Sequence, residues 1–111
     1  MYRVVRKVTR PSTAVEFRNL QHSSISHETQ SYWLHTYRGH QREDGIVKCQ
    51  DISVSYSDNQ LEMTTVMLWD NQASFIEYQN DTILNENAFS ILDQYQDANG
   101  ITRELVSQEK I

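Results

Sequence analysis

The chain has 111 residues, a length that predicts one domain, residues 1–111, with room for a single hydrophobic core. Its 15 Asp and Glu against 10 Lys and Arg give a net charge of −5, which argues against a general nucleic-acid binder. One cysteine excludes an internal disulfide, and the lack of a long apolar run or secretory leader predicts a cytoplasmic protein with no membrane partner.

The first ten residues, MYRVVRKVTR, interleave valines with four cations and predict a β-strand that Pro11 ends. One face of this strand carries Tyr2, Val4, Arg6 and Val8. On a central strand an unpaired buried cation would cost several kcal/mol. We therefore expect Arg6 either to pair with an internal acid, such as Asp93 or Glu77, or to receive an acidic ligand.

A helix is predicted next, from about Ser26, which can cap it, to Gly39, which can end it. The residues at helical spacing on its inner face are Ile25, Thr29, Trp33 and Tyr37. His27 and His35 lie two turns apart, but no third ligand accompanies them. We predict that the histidines are structural or exposed and that the chain has no metal site.

Residues 47–69 predict a β-hairpin, because apolar and polar residues alternate on both sides of Asp58-Asn59. A two-residue turn there would pair Tyr56 with Leu61, Val54 with Met63 and Ile52 with Thr65. The opposite face would then carry Cys49, Val66 and Leu68 at one end and polar residues at the other. Such a half-apolar face predicts a covering partner.

Residues 70–100 predict helical structure with a break near Asn80-Asp81, and ITRELVSQ predicts a last strand. The order strand, helix, strand, strand, helix, strand is the ferredoxin-like βαββαβ pattern. This α+β fold has a four-stranded antiparallel sheet with both helices on one face. The first and third strands are central, so the basic first strand would lie beside the acidic second half of the chain.

The stretch VSYSDNQLEMTTVMLWDNQASFIEYQND resembles the second hairpin and following helix of the dimeric α+β barrel superfamily, particularly its antibiotic-biosynthesis-monooxygenase-like branch. There the third strand typically ends in Trp and leads into an aromatic-bearing helix, as Trp69, Phe75 and Tyr78 would here. The resemblance implies a homodimer in which two sheet faces pack together. It also implies a cleft between sheet and helices that takes apolar or aromatic ligands.

The resemblance suggests two chemistries. Some relatives degrade haem with an Asn on the first strand, the Trp, and a His about ten residues after that Trp. In this chain Gln79 stands in place of the His, and the first strand has no Asn. We therefore expect no haem degradation and no cofactor. Other relatives oxidise aromatic polyketides without a cofactor, using Trp, Asn, Tyr and Arg. The matching residue types here are Trp69, Asn71, Tyr56 and Arg6.

The candidate ligand-binding residues combine one hairpin face, aromatic residues from the helices, and one cation. They are Tyr56, Met63, Met67 and Trp69, then Trp33, Phe75 and Tyr95, with Arg6 as the cation. A site of this composition suits an aromatic or fatty acid, bound by a monooxygenase-like enzyme or a carrier. The same apolar residues also suit an ordinary core, which leaves a non-catalytic structural or regulatory homodimer as the alternative.

Overall fold

The computed structural model describes all 111 residues. Its elements are β1 (Tyr2–Thr9), α1 (His27–Thr36), β2 (Cys49–Tyr56), β3 (Glu62–Trp69), α2 (Gln72–Gln79), α3 (Thr82–Leu84), a π-helical turn (Asn85–Phe89), α4 (Ser90–Ala98) and β4 (Thr102–Lys110). The four strands form one antiparallel sheet in the order β2-β3-β1-β4. The predicted ferredoxin-like α+β fold is confirmed, with β1 and β3 central.

Side-chain caps define where the helices begin. Ser26 Oγ accepts from the Thr29 amide at 3.2 Å, and Asn71 Oδ1 accepts from the Ser74 amide at 2.9 Å. Each bond satisfies an amide that has no partner within its helix. The inner residues predicted for α1 and its flanks, Ile25, Thr29, Trp33 and Tyr37, are all buried.

The predicted hairpin register is wrong by two residues. The structure pairs Tyr56 with Met63, Val54 with Thr65 and Ile52 with Met67. The cause is a longer turn, closed by the Ser57 amide on the Glu62 carbonyl at 3.0 Å and containing a residue at positive φ. Because a shift of two preserves the alternation, the predicted apolar face survives the error.

Cys49 lies on the opposite side of the sheet from the one predicted. The pairing shifts between Cys49 and Asp51, so that Cys49 lies opposite Trp69 and is fully buried under the helices. The extra residue at this β-bulge, Gln50, reverses the alternation of β2 at its start. Val66 and Leu68 do lie on the face that no helix covers.

The main core is an aromatic cluster between the sheet and the helices. Its buried members are Tyr2, Val4, Trp33, Tyr37, Cys49, Met67, Trp69, Phe75, Tyr78 and Leu84. The uncovered face carries ion pairs between basic β1 and its acidic neighbours: Arg3 with Glu109, and Lys7 with Glu62 and Glu104. No helix in the chain combines the length and the apolar character that crossing a bilayer requires.

Candidate ligand site between sheet and helices

Four cross-strand rows make up the helix-facing side of the sheet. Read from β2 to β4, they are Cys49-Trp69-Tyr2-Lys110, Ile52-Met67-Val4-Gln108, Val54-Thr65-Arg6-Leu105 and Tyr56-Met63-Val8-Arg103. We call the first two rows the packed rows, because their side chains on the central strands are at most 8% exposed. We call the last two rows the open rows, because their residues Val54, Tyr56 and Leu105 are 48%, 53% and 48% exposed.

A cavity of about 810 Å³ lies between the open rows and the helices. Of its 25 lining residues 13 are hydrophobic, so the walls combine apolar and polar groups in nearly equal number. The volume falls within the usual range for small-molecule sites. The sheet thus has a packed end that forms the core and an open end that faces a cavity.

The cavity brings together five of the eight predicted site residues, Arg6, Trp33, Tyr56, Met63 and Met67. The placement predicted for the other three is wrong. Trp69 and Phe75 are 0% exposed within the aromatic cluster, because they belong to the packed end. Tyr95 lies away from the cavity, where its hydroxyl donates to the Glu16 carbonyl at 2.8 Å and its ring lies 3.7 Å from the Arg18 guanidinium.

Arg6 has no ion pair and no hydrogen bond within the chain, although it lines the cavity. The acids predicted as its internal partners are engaged elsewhere: Glu77 with Lys48 at 2.9 Å and Asp93 with Arg103 at 3.3 Å. The remaining charged lining residues, Lys7, Arg38 and Glu104, all have partners. The internal-acid alternative is therefore wrong, and Arg6 is an exposed cation with no ionic or hydrogen-bonding partner, its guanidinium 6.0 Å from the centre of the Phe75 ring.

Asp81 fixes the corner between α2 and α3, next to the cavity. The hydroxyls of Tyr32 and Tyr37 both donate to Asp81 Oδ2 at 2.6 Å. Burial, then the bond to Asp81, raises the pKa of Tyr32 to about 12 and raises that of Tyr37 further. Burial alone would raise the pKa of Asp81, but the two phenols and backbone amides outweigh it, so this pKa lies below the usual value.

The helical wall of the cavity is irregular. Asn85 and Phe89, the first and last residues of the π-helical turn, both line it, and such turns are frequent at functional sites. Gln79, which the resemblance in the sequence analysis sets against the His of haem-degrading proteins, lines it as well, and its carbonyl accepts from Asn85 Nδ2 at 3.0 Å. The sequence signal for this wall is the break at Asn80-Asp81, which marks where the helix leaves regular geometry.

The connection between β1 and α1 supplies a wall that sequence reasoning missed, through Asn19, Leu20 and Gln21. Arg10 anchors this connection, since its Nε donates to the Gln60 carbonyl at 2.7 Å and its guanidinium lies 4.7 Å from the Phe17 ring. The Phe17 ring in turn lies 6.0 Å from Tyr56, in the last row. Isolated apolar residues such as Phe17 and Leu20 in a polar connection were the available signal.

The lining chemistry suits binding and orientation. The cavity offers apolar walls, amide side chains and one free guanidinium. No three His, Cys, Asp or Glu side chains come together in a way that could hold a metal ion. Ligand binding by any of these residues remains a prediction.

Comparison with known proteins supports the fold. No family model matches the sequence, and a search of curated proteins gave no significant match. Among solved structures, the fold is similar to that of a candidate antibiotic biosynthesis monooxygenase from Deinococcus radiodurans, with a TM-score of 0.57 and 12% identity over 100% of this chain and 92% of the other. The resemblance read from the sequence is therefore confirmed at the level of fold.

Proposed function

We propose that the protein binds a small apolar carboxylic acid, with an aromatic or fatty body, in the cavity over the open rows. The observation that carries this proposal is the unpaired Arg6 among apolar lining residues. A guanidinium binds a carboxylate through two parallel hydrogen bonds, which fixes the orientation of the ligand. Burial of the ligand body against Trp33, Met63 and Met67 supplies the affinity, at about 25 cal/mol per Å² of apolar surface.

The proposal has a catalytic and a non-catalytic form. The structural neighbour is described as a candidate monooxygenase. By analogy, the catalytic form is oxidation of an electron-rich aromatic acid by O2, in which the acid itself supplies all the electrons, one oxygen atom enters the product and the other leaves as water; a carrier is the non-catalytic form. Oxygen consumption with a bound acid, measured against a protein-free control, separates the two.

Calorimetric titration with dodecanoate, naphthoate and their methyl esters tests the binding. We expect the acids to bind more tightly than the esters and Arg6→Met to erase this preference. The matched control is Arg103→Met, which removes a cation of the same cavity that is already paired with Asp93 and Asp97. It should retain the preference for acids. Equal affinity of wild type and Arg6→Met for the acids would refute the role of Arg6.

A structural homodimer is the second candidate function. The observation that favours it is the uncovered sheet face, where Val5 pairs directly with Val66 and lies near Leu68. Apolar residues in the centre of an otherwise polar and charged face are typical of a self-complementary interface. We infer that a second copy covers this face, and the ligand proposal is compatible with such a dimer.

Sedimentation analysis tests the dimer. Leu68→Glu would place a charge at the centre of the interface, so we expect monomeric or insoluble protein. Gln94→Glu is the control, since Gln94 is exposed on α4, which packs on the other side of the sheet. A wild-type protein that is monomeric at micromolar concentration would contradict the dimer.

A further inference from the structure

The geometry points to Tyr78 as a second ligand-binding residue of the cavity, a phenol whose hydroxyl donates to an oxygen of the ligand's carboxylate beside Arg6. This inference rests on the proposed binding of an acid and adds a specificity-determining group to it. Tyr78 comes from α2, whereas Arg6 comes from β1. The two groups would therefore hold the head group from opposite walls.

The Tyr78 ring is fixed but its hydroxyl is free. Ring centroids of Trp69, Phe89 and Trp33 lie 5.0, 5.1 and 5.2 Å from that of Tyr78, and the residue is 7% exposed. Its hydroxyl makes no hydrogen bond within the chain, whereas those of Tyr32 and Tyr37 both bind Asp81. A buried phenol normally finds a partner, so the free hydroxyl of Tyr78 is an unusual feature.

The free hydroxyl opens to the cavity. The fully enclosed side-chain polar atoms that lack a partner are Arg3 Nε and Trp69 Nε1, and the Tyr78 oxygen is not among them. Since Tyr78 lines the cavity, the space that its oxygen reaches is the one that Arg6 also faces. A ligand oxygen placed there would complete the missing hydrogen bond.

The protonation state of Tyr78 suits a donor. Burial raises the pKa of Tyr78 well above its usual value, and the attraction of the nearby Arg6 cation only partly opposes this rise. The phenol therefore stays protonated at neutral pH. Arg6 and Tyr78 together present donors and no ionised acceptor, which favours a head group whose oxygens only accept, such as a carboxylate.

Calorimetry of Tyr78→Phe with naphthoate, methyl naphthoate and naphthalene tests the inference. We expect naphthoate to bind roughly tenfold or more weakly, as the loss of a hydrogen bond to a charged group predicts. The affinity for methyl naphthoate should also fall, because its carbonyl accepts the same hydrogen bond, whereas the affinity for naphthalene should not change. Arg6→Met should lower the affinity for naphthoate alone, so the two variants differ in which ligands they bind more weakly.

Tyr37→Phe is the matched control, the same substitution in the same aromatic cluster. Tyr37 does not line the cavity, and its hydroxyl bonds to Asp81, so this variant should lose stability while it retains affinity for naphthoate. Tyr78→Phe should instead melt like wild type, because it breaks no internal bond. A loss of stability equal to that of Tyr37→Phe would show an internal partner and overturn the inference.

The outcomes also separate this inference from the proposed function. If Tyr78→Phe binds naphthoate as tightly as the wild type does, while Arg6→Met loses the preference for acids, the role of Tyr78 is overturned and the acid site still stands. Failure of wild type to bind any of the three probes, or dodecanoate, would overturn both.

Discussion

The packed and open rows belong to the same four strands and the same face of the sheet, yet one end is a closed core and the other a cavity. At the packed end the central side chains are Trp69, Tyr2, Met67 and Val4, and aromatic rings from α1 and α2 cover them. The next row places Arg6 beside Thr65 at the centre of the sheet. Helices packed closely over this pair would bury a charge without a partner, at a cost of several kcal/mol. One cation on a central strand thus limits how far the core can extend.

Trp69→Ala and Tyr56→Ala should differ most in stability. Trp69 is fully buried at the packed end, so its truncation should cost about 3–5 kcal/mol of unfolding free energy. Tyr56 is 53% exposed in the last open row, so its truncation should cost about 1 kcal/mol or less. Chemical denaturation measures both, and similar losses would mean that the open rows are also part of the core.

Asp81 holds the corner between α2 and α3 to Tyr32 and Tyr37, and its removal should have an intermediate effect. Asp81→Asn should cost about 1 kcal/mol or more at neutral pH, because two phenols lose a charged acceptor. The folded-state pKa of Asp81 is lowered, so its contribution is fully present above the unfolded value of about 3.9 and is lost as the pH falls through the folded value.

Melts of wild type and Asp81→Asn across the acid range measure this contribution. The wild-type advantage should shrink as the solution is acidified below the usual range of Asp. An advantage that stays constant, or grows, on acidification would contradict the direction of the pKa shift.

Incubation with haem should have the smallest effect of these experiments, because we expect no haem degradation at the open end. Gln79 lines the cavity, and its side-chain amide does not replace the imidazole that the sequence resemblance would place there as an iron ligand. Incubation with haem and a reductant should leave the Soret band as in the protein-free control. Protein-dependent loss of the band, with an identified tetrapyrrole product, would show that the open end supports this chemistry.

The sequence predicted the order of elements and the faces of the strands, because alternation and helical spacing are local properties. It missed the hairpin register, which depends on the length of the turn after Tyr56, and the side of Cys49, which depends on one bulged residue. It also could not predict that Trp69 is buried in the core whereas Met63 lines the cavity, since both belong to the same face of β3. Only the positions of the helices, set by contacts distant in sequence, decide which rows they cover. The same contacts decide that Arg6 has no internal acid beside it.

The ionisation of a bound acid tests the central claim most directly. Naphthoate labelled at its carboxyl carbon can be titrated by NMR, free and bound to wild type or Arg6→Met. An unpaired guanidinium in the cavity should lower the pKa of the bound carboxyl below that of free naphthoate, and Arg6→Met should abolish this decrease. A bound carboxyl whose pKa is raised in the wild type, as burial among apolar walls alone would cause, would contradict a site built around Arg6.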